Sequence, residues 1–412
     1  MKAGGAEKTA VVIGAGNIGR GFIGPVFSAS GYETVFIDVD DELVKEINRR
    51  GEYPLREISP DGDVSETIVR RVRAVSSVDL NDAAAEVARA EVCASAVGVR
   101  AMPDIAKLLA MGLALRSRES DAGPLDIIVC ENLIDAGEKL KGHVKNILPG
   151  NLSDRIDLMA GFPEAVIGRM TPIQTDGMKA GDPLRICAEK YAFLPVDKAA
   201  FRGELPKIDN MIVLDNFEYY VKRKLFVHNL GHAAIAYLGL LKGYDLIADA
   251  VDDADVLFLA AGAMRESAAA LGCENNGDAA NLSRHIDNLL YRFSNRALKD
   301  TCLRVAADPL RKLGKQDRLI GAIENCKTYG MPYVYIAAVA AAAALTLEKT
   351  WEGEGEMPAL SAITGLPADS EPFKVIVELG IACTAKAENS GSAAVTSLRG
   401  AAVKVAGDIV LL

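Results

Sequence analysis

The chain has 412 residues, half of them apolar, with 37 Gly, 16 Pro and a formal charge of -10. That is enough for two or three domains with real cores and too apolar for intrinsic disorder. The acidic balance argues against nucleic acid as a partner.

The first apolar run, Thr9–Ile13, leads into Gly14-Ala15-Gly16-Asn17-Ile18-Gly19, a GxGxxG between a strand and a helix. Gly14 suits a tight turn, Gly16 a close approach of backbone to a pyrophosphate, and Gly19 helix-on-strand packing; Asn17 and Ile18 lie within the loop. The next strand, Thr34–Asp38, ends on a carboxylate 19 residues after Gly19. At that place it suits a ribose 2′-hydroxyl and repels a 2′-phosphate, and Asp40 and Asp41 add to the repulsion, so NAD is expected over NADP. Arg20 is read either as a phosphate partner or as a solvated surface residue.

A helix is predicted over Glu42–Arg50, then an inserted hairpin over Tyr53–Ser76, where Pro60-Asp61-Gly62 is a turn signal and Arg71–Ala74 alternates. Strands Glu91–Val97 and Leu125–Cys130 flank a helix over Pro103–Leu113. Alternating strands and helices predict a Rossmann-type, doubly wound parallel sheet. The pattern switches within Leu194–Pro206, and apart from Met211-Ile212-Val213 the rest is Ala- and Leu-rich at helical spacing. The expectation is α/β: residues 1–198 an NAD-binding domain, residues 199–412 a mainly α-helical substrate domain. The uncharged run Thr328–Leu347 is read as a buried helix and not as a membrane span, since alanine dominates it. Seven scattered Cys with no CxxC, and no signal-peptide pattern, point to free thiols and a cytoplasmic protein.

Only four His are present, which limits metal and histidine chemistry. Lys224, Asn229 and His232 stand together in the second domain. Oxidising a secondary alcohol needs a base, a hydride acceptor and donors for the developing oxyanion. Lys224 can be the base if desolvation and nearby cations lower its pKa. Asn229 can donate to the oxyanion, and Asn132, from the first domain, can donate a second hydrogen bond. His232, eight residues after Lys224 and roughly 80° round an ideal helix, can orient the substrate. His228 is four residues from each, but Asn229 stands where a zinc-binding HExxH needs Glu, so His228 is read as structural and no metal is expected. Tyr220 to Lys224 fits YxxxK, but its place in the helical domain makes that a coincidence.

Several blocks carry a resemblance. Gly14–Gly24, Cys130-Glu131-Asn132, the KxxxxNxxH run Lys224–His232, Asp308–Leu313 and Asp317-Arg318-Leu319 resemble the polyol-specific long-chain dehydrogenases, specifically their mannitol-1-phosphate 5-dehydrogenase branch. The resemblance spans the chain to about residue 350. It implies a metal-independent, NAD-linked interconversion of mannitol 1-phosphate and fructose 6-phosphate, with Lys224 as base, Asn132 and Asn229 as oxyanion donors and His232 as substrate contact. Two positions depart from the family: Gly168 stands for Asp, and Ala307 for Arg. The basic cluster at 304–318 is expected to bind a small phosphate ester through Arg304, Arg311 and Lys312, with Lys312 favoured. The alternatives are a relative acting on an unphosphorylated polyol or hexuronate, and a non-catalytic sensor of redox state. A monomer or small homo-oligomer with a small-molecule substrate is expected.

Overall fold

The computed structural model describes residues 8–275, 279–351, 353, 356–387 and 390–410. The chain divides into two compact units, residues 1–59 with 63–217, and residues 60–62 with 218–412.

The first unit is built on strands β1 (Thr9–Ile13), β2 (Glu33–Asp38), β5 (Val72–Ser76), β6 (Val92–Ser95), β7 (Leu125–Val129) and β8 (Ala160–Gly161). They form one parallel sheet in the order β5-β2-β1-β6-β7-β8. Period-two alternation sends Val12, Phe36, Ala94 and Ile128 into the core on one face. Val11, Val35, Cys93 and Ile127 enter the core on the other. Both faces are covered, which is why these strands read as unbroken apolar runs. The strand order reverses beside β1, where β2 and β6 lead to opposite edges, and in doubly wound sheets ligands bind outside the carboxyl ends of the strands at such a point.

The hairpin expected over Tyr53–Ser76 is β3 (Glu52–Ile58) with β4 (Val64–Arg70). Its last part is a correction: β5 belongs to the main sheet, beside β2. Arg71, at φ 59°, turns the chain out of the hairpin. Strand β3 also pairs in parallel with β9 (Ile186–Glu189). The expected boundary at 198/199 moves to 217/218. Residues Met211–Leu214 form β11, which pairs with β10 (Leu194–Asp197) inside the first unit, so they do not open the second.

The second unit is helical. Its centre is made by Leu230–Lys242, Ala254–Asn275 and Val334–Thr350, which pack on one another. The alanine run Ala337–Ala344 is buried throughout, and its small side chains let neighbouring helices approach closely; the buried helix expected over Thr328–Leu347 begins only at Val334, since Thr328 closes the preceding helix Ile320–Thr328. Among the described residues one helix, Ala254–Asn275, has the length and apolarity to cross a membrane, and most of its apolar stretch is buried in this core. The last two helices, Glu371–Ala387 and Gly391–Val410, pack on each other and on Val334–Thr350. Arg399 adds an ion pair to Asp255 at 2.9 Å. All seven cysteines are free, and six are buried.

Glu266 is a charge-bearing group inside this core. Its Oε2 accepts from Ile336 N at 3.0 Å, in the first turn of Val334–Thr350. Burial pushes its pKa up to about 7 from 4.5, although the N–H groups of Ile336, Tyr335 and Val334 pull the other way. The folded state therefore holds the proton more tightly than the unfolded chain. The contribution to stability is full below about pH 4.5 and is lost as pH rises to about 7, by about 3 kcal/mol at most. Urea unfolding at pH 5 and pH 8 checks this: Glu266→Gln should shrink the stability difference between the two, and an unchanged difference would refute it.

Candidate active site

In the first unit the site is assembled by loops at the carboxyl ends of the parallel strands. Gly14 has φ +102°, and a Cβ there would lie 2.6 Å from Ala96 O. Its N–H donates to Ile37 O at 2.8 Å. A Cβ on Gly19 would collide with Gly14 O, whereas the space beside Gly16 is open. The loop is thus closed against its own strand and open at Gly16, the place where a pyrophosphate approaches. Asp38 Oδ2 accepts from Ala15 N at 2.6 Å, and Oδ1 accepts from Asp40 N at 3.0 Å. Each carboxylate oxygen has a second lone pair, so Asp38 keeps acceptor capacity for ribose hydroxyls. The Asp40 side chain caps the helix Asp41–Arg50 by accepting from Glu42 N and Leu43 N. These features fit a dinucleotide.

Two other residues of the loop face inward. Asn17 Nδ2 donates to Pro172 O at 3.0 Å, and Ile18 packs on the core. Arg20 corrects both readings made of it. It is buried, with Nε donating to Ala15 O at 2.6 Å and Nη1 to Leu184 O at 2.8 Å. It braces the glycine loop from behind, and burial lowers its pKa.

The loops after β6 and β7 are tied together by Glu131, whose Oε1 accepts from Val97 N at 3.0 Å. Burial raises the Glu131 pKa against the N–H groups of Val97 and Gly98 and the Ser95 hydroxyl. Cys130 N donates to Ser95 O at 3.0 Å. Asn132 follows directly, at the carboxyl end of β7. Gly168, the departure from the family pattern, lies against the Tyr191 ring. Its neighbour Arg169 is buried and finds its carboxylate in Glu57, at 2.6 Å.

In the second unit the KxxxxNxxH run occupies a helical segment that is continuous over 217–242. Lys224–Asn229 is a π-helix between the α-helices Phe217–Arg223 and Leu230–Lys242. This changes the geometry expected from the sequence. In an α-helix five residues place Lys224 and Asn229 about 140° apart. A π-turn closes one residue later, so Asn229 stands where an i+4 residue would, about 40° round. His232, on the same account, comes within about 20° of Lys224. All three side chains are thus set on one face. The spacing of five was the available signal, since it is the π repeat.

Of the basic triplet, Lys222 pairs with Glu218 at 3.0 Å and with Glu274. Arg223 stacks over Tyr220, 4.6 Å from the ring centroid. His228 is buried edge-on to Phe293. Burial, then Arg292, His232, Lys224 and His285, hold its pKa well below 6.5, so it is neutral. His285 is likewise pushed down to about 3 by burial and by Arg223 and Arg292. The His232 ring stacks on Phe293 at 4.8 Å and 13°. Its Nε2 lies 3.0 Å from Asp300 Oδ2. Asp300 was not singled out in the sequence; no motif marks it.

The cations expected to bind phosphate each have an internal partner. Arg304 donates Nε to Asp300 Oδ1 at 2.7 Å, and its side chain is half exposed. Arg311 pairs with Asp308 at 2.6 Å and Asp317 at 2.7 Å. Lys312 is buried, and its Nζ donates to Val305 O at 2.7 Å and to Ala307 O, capping the helix Cys302–Ala306. Burial, then Arg318 and Arg311, push its pKa down to about 8. Arg304 is the member connected to the KxxxxNxxH block, through Asp300. Lys312, the favoured one, is the most enclosed.

Residues 8–210 match the family model of the mannitol dehydrogenase Rossmann domain, and residues 216–357 that of the mannitol dehydrogenase C-terminal domain. Among solved structures the chain is similar to a D-sorbitol dehydrogenase in substrate-free form: TM-score 0.75, 17% identity, 94% of this chain and 95% of that one. It is similar also to Pseudomonas fluorescens mannitol 2-dehydrogenase in a ternary complex with NAD and D-mannitol: TM-score 0.72, 15% identity, 95% of this chain and 94% of that one. These matches do not reach the mannitol-1-phosphate branch expected from the sequence. With both domain models matched in order and the KxxxxNxxH block in the second, the chain belongs to the mannitol dehydrogenase family.

Proposed function

We propose that the protein is an NAD-dependent dehydrogenase that interconverts mannitol 1-phosphate and fructose 6-phosphate. The observation that carries the enzyme reading is the π-turn, which sets Lys224, Asn229 and His232 on one helix face. NAD is supported by the glycine loop, by Asp38 with Asp40 and Asp41 beside it, and by the NAD bound to the P. fluorescens relative.

When bound, the oxidised nicotinamide supplies the acceptor for the hydride leaving the carbinol carbon. Lys224 Nζ takes the hydroxyl proton as the C–O bond gains double-bond character. Asn229 donates its amide N–H to the oxygen while that oxygen carries alkoxide charge, and Asn132 is assigned the second donation. His232 holds a neighbouring hydroxyl. In the reverse direction Lys224 returns the proton to the reduced carbonyl oxygen.

The phosphate ester is supported by Arg304, which joins the catalytic block through Asp300 and directs only part of its five N–H donors there. An unphosphorylated polyol is the second reading. It is favoured by the internal partners of Arg311 and Lys312 and by the names of the two relatives. Initial rates with fructose 6-phosphate and fructose, each with NADH and NADPH, separate the two. Charge-assisted hydrogen bonds to one phosphate should favour fructose 6-phosphate by roughly 10- to 100-fold in kcat/KM with NADH. A preference for fructose would establish the second reading, and NADH binding with no turnover of any polyol or ketose would contradict both.

A further inference from the structure

Asp300 lies outside the KxxxxNxxH run, yet its backbone and both carboxylate oxygens are held. The backbone is pinned on its carboxyl side: Asp300 O accepts from Ile247 N at 2.9 Å, and Thr301 forms an antiparallel bridge with Leu246. Its side chain is 9% exposed. One carboxylate oxygen, Oδ1, takes Arg304; the other, Oδ2, takes His232 Nε2. Burial raises its pKa, but the hydrogen bonds from His232 and Arg304 and the Arg304 charge outweigh this and hold it below 3.8. An ionised carboxylate only accepts, so the hydrogen sits on His232 Nε2. In the neutral ring Nδ1 is then an acceptor. The ring has its face on Phe293 and one nitrogen on Asp300, which fixes both its plane and its tautomer.

We propose that Asp300 is a positioning residue that holds His232 with Nδ1 ready to accept a substrate hydroxyl. This rests on the reading of Lys224, Asn229 and His232 as the catalytic block. Arg304 on Oδ1 keeps Oδ2 turned to the imidazole, so the three form one chain, Arg304–Asp300–His232.

The test is a double-mutant cycle on the full-length enzyme, with NADH and whichever of fructose 6-phosphate or fructose it reduces. Asp300→Ala should lower kcat/KM by roughly 10²-fold, the size of effect expected when a substrate-orienting group is misplaced. NADH affinity should not change. Asp300→Asn keeps the shape and one acceptor oxygen and should recover most of that loss; it also carries the test if the alanine variant fails to fold. In a His232→Ala background, adding Asp300→Ala should cost less than about twofold, because a residue acting through His232 has nothing left to position. A further loss of the full size, or a fully active Asp300→Ala enzyme, would overturn the proposal. Lys224→Ala is run in parallel: an inactive Lys224→Ala with additive losses at 232 and 300 sinks only the role of Asp300, whereas a fully active Lys224→Ala sinks the catalytic reading on which it rests.

Discussion

Replacing Lys224 by alanine should lower kcat by roughly 10²- to 10⁴-fold, the span of a positioned general base. The loss should fall on turnover. The glycine loop and Asp38 belong to the first unit and lie far from Lys224 in sequence, so NADH binding, read by fluorescence titration, should stay at the wild-type value. Lys224→Arg should be nearly as damaging, because guanidinium stays protonated and cannot take the hydroxyl proton. A merely solvated cation on a helix face would give the opposite pattern: little loss with alanine and none with arginine. The neighbours argue for the first outcome. Lys222 is spent on Glu218 and Glu274, and Arg223 on Tyr220. Lys224 is close enough to the buried His228 for its charge to help hold that imidazole neutral.

Replacing Asn229 by alanine should cost about 10²- to 10³-fold in kcat, the loss seen when one preorganised oxyanion donor is removed. Its KM should change less, since the donation strengthens only as charge develops on oxygen. Asn229→Asp should be worse than Asn229→Ala, because a carboxylate opposes the alkoxide. The π-turn makes this prediction specific. Were Lys224–Asn229 α-helical, Asn229 would point about 140° away from Lys224, and alanine there would be nearly silent. Steady-state kinetics of the two variants therefore reads the helix geometry as well as the role of the amide.

What the sequence disclosed follows from where each signal is written. Strands β1, β2, β6 and β7 are legible because both of their faces are buried and they read as apolar runs between glycine- and charge-rich segments. The glycine loop is legible because its glycines answer to backbone conformation and close approach, φ +102° at Gly14 and Gly19 against Gly14 O, which no other residue type meets. Strand β5 was assigned to the hairpin because an alternating strand looks the same at a sheet edge as in a ribbon. Its partner, β2, is chosen by the turn at Arg71. The pairing of β3 with β9 joins segments more than a hundred residues apart, and nothing local encodes it. The domain boundary shifted because Met211–Leu214, a short strand among helices, carries no mark of the unit it joins.

At the site, residue identity was legible and orientation was not. Lys224, Asn229 and His232 are visible as a motif, but their common face depends on a π-turn that an ideal helix count does not contain. Arg20 reads as a surface cation only until its carbonyl partners at Ala15 and Leu184 are placed. Lys312 follows the same rule: its acceptors are main-chain carbonyls, which have no sequence signature. Asp300 is the converse case, an unmarked carboxylate whose importance comes from what folds against it.

The central claim is that a lysine amine, held beside an amide and an imidazole on one helix face, removes the hydroxyl proton. Rescue of Lys224→Ala by added primary amines tests it most directly. The account predicts that ammonia, methylamine and ethylamine each restore NADH-linked turnover of the substrate, saturably, with rates that rise with amine basicity once size is allowed for. A Lys224→Ala enzyme that turns over at the wild-type rate without amine would contradict it.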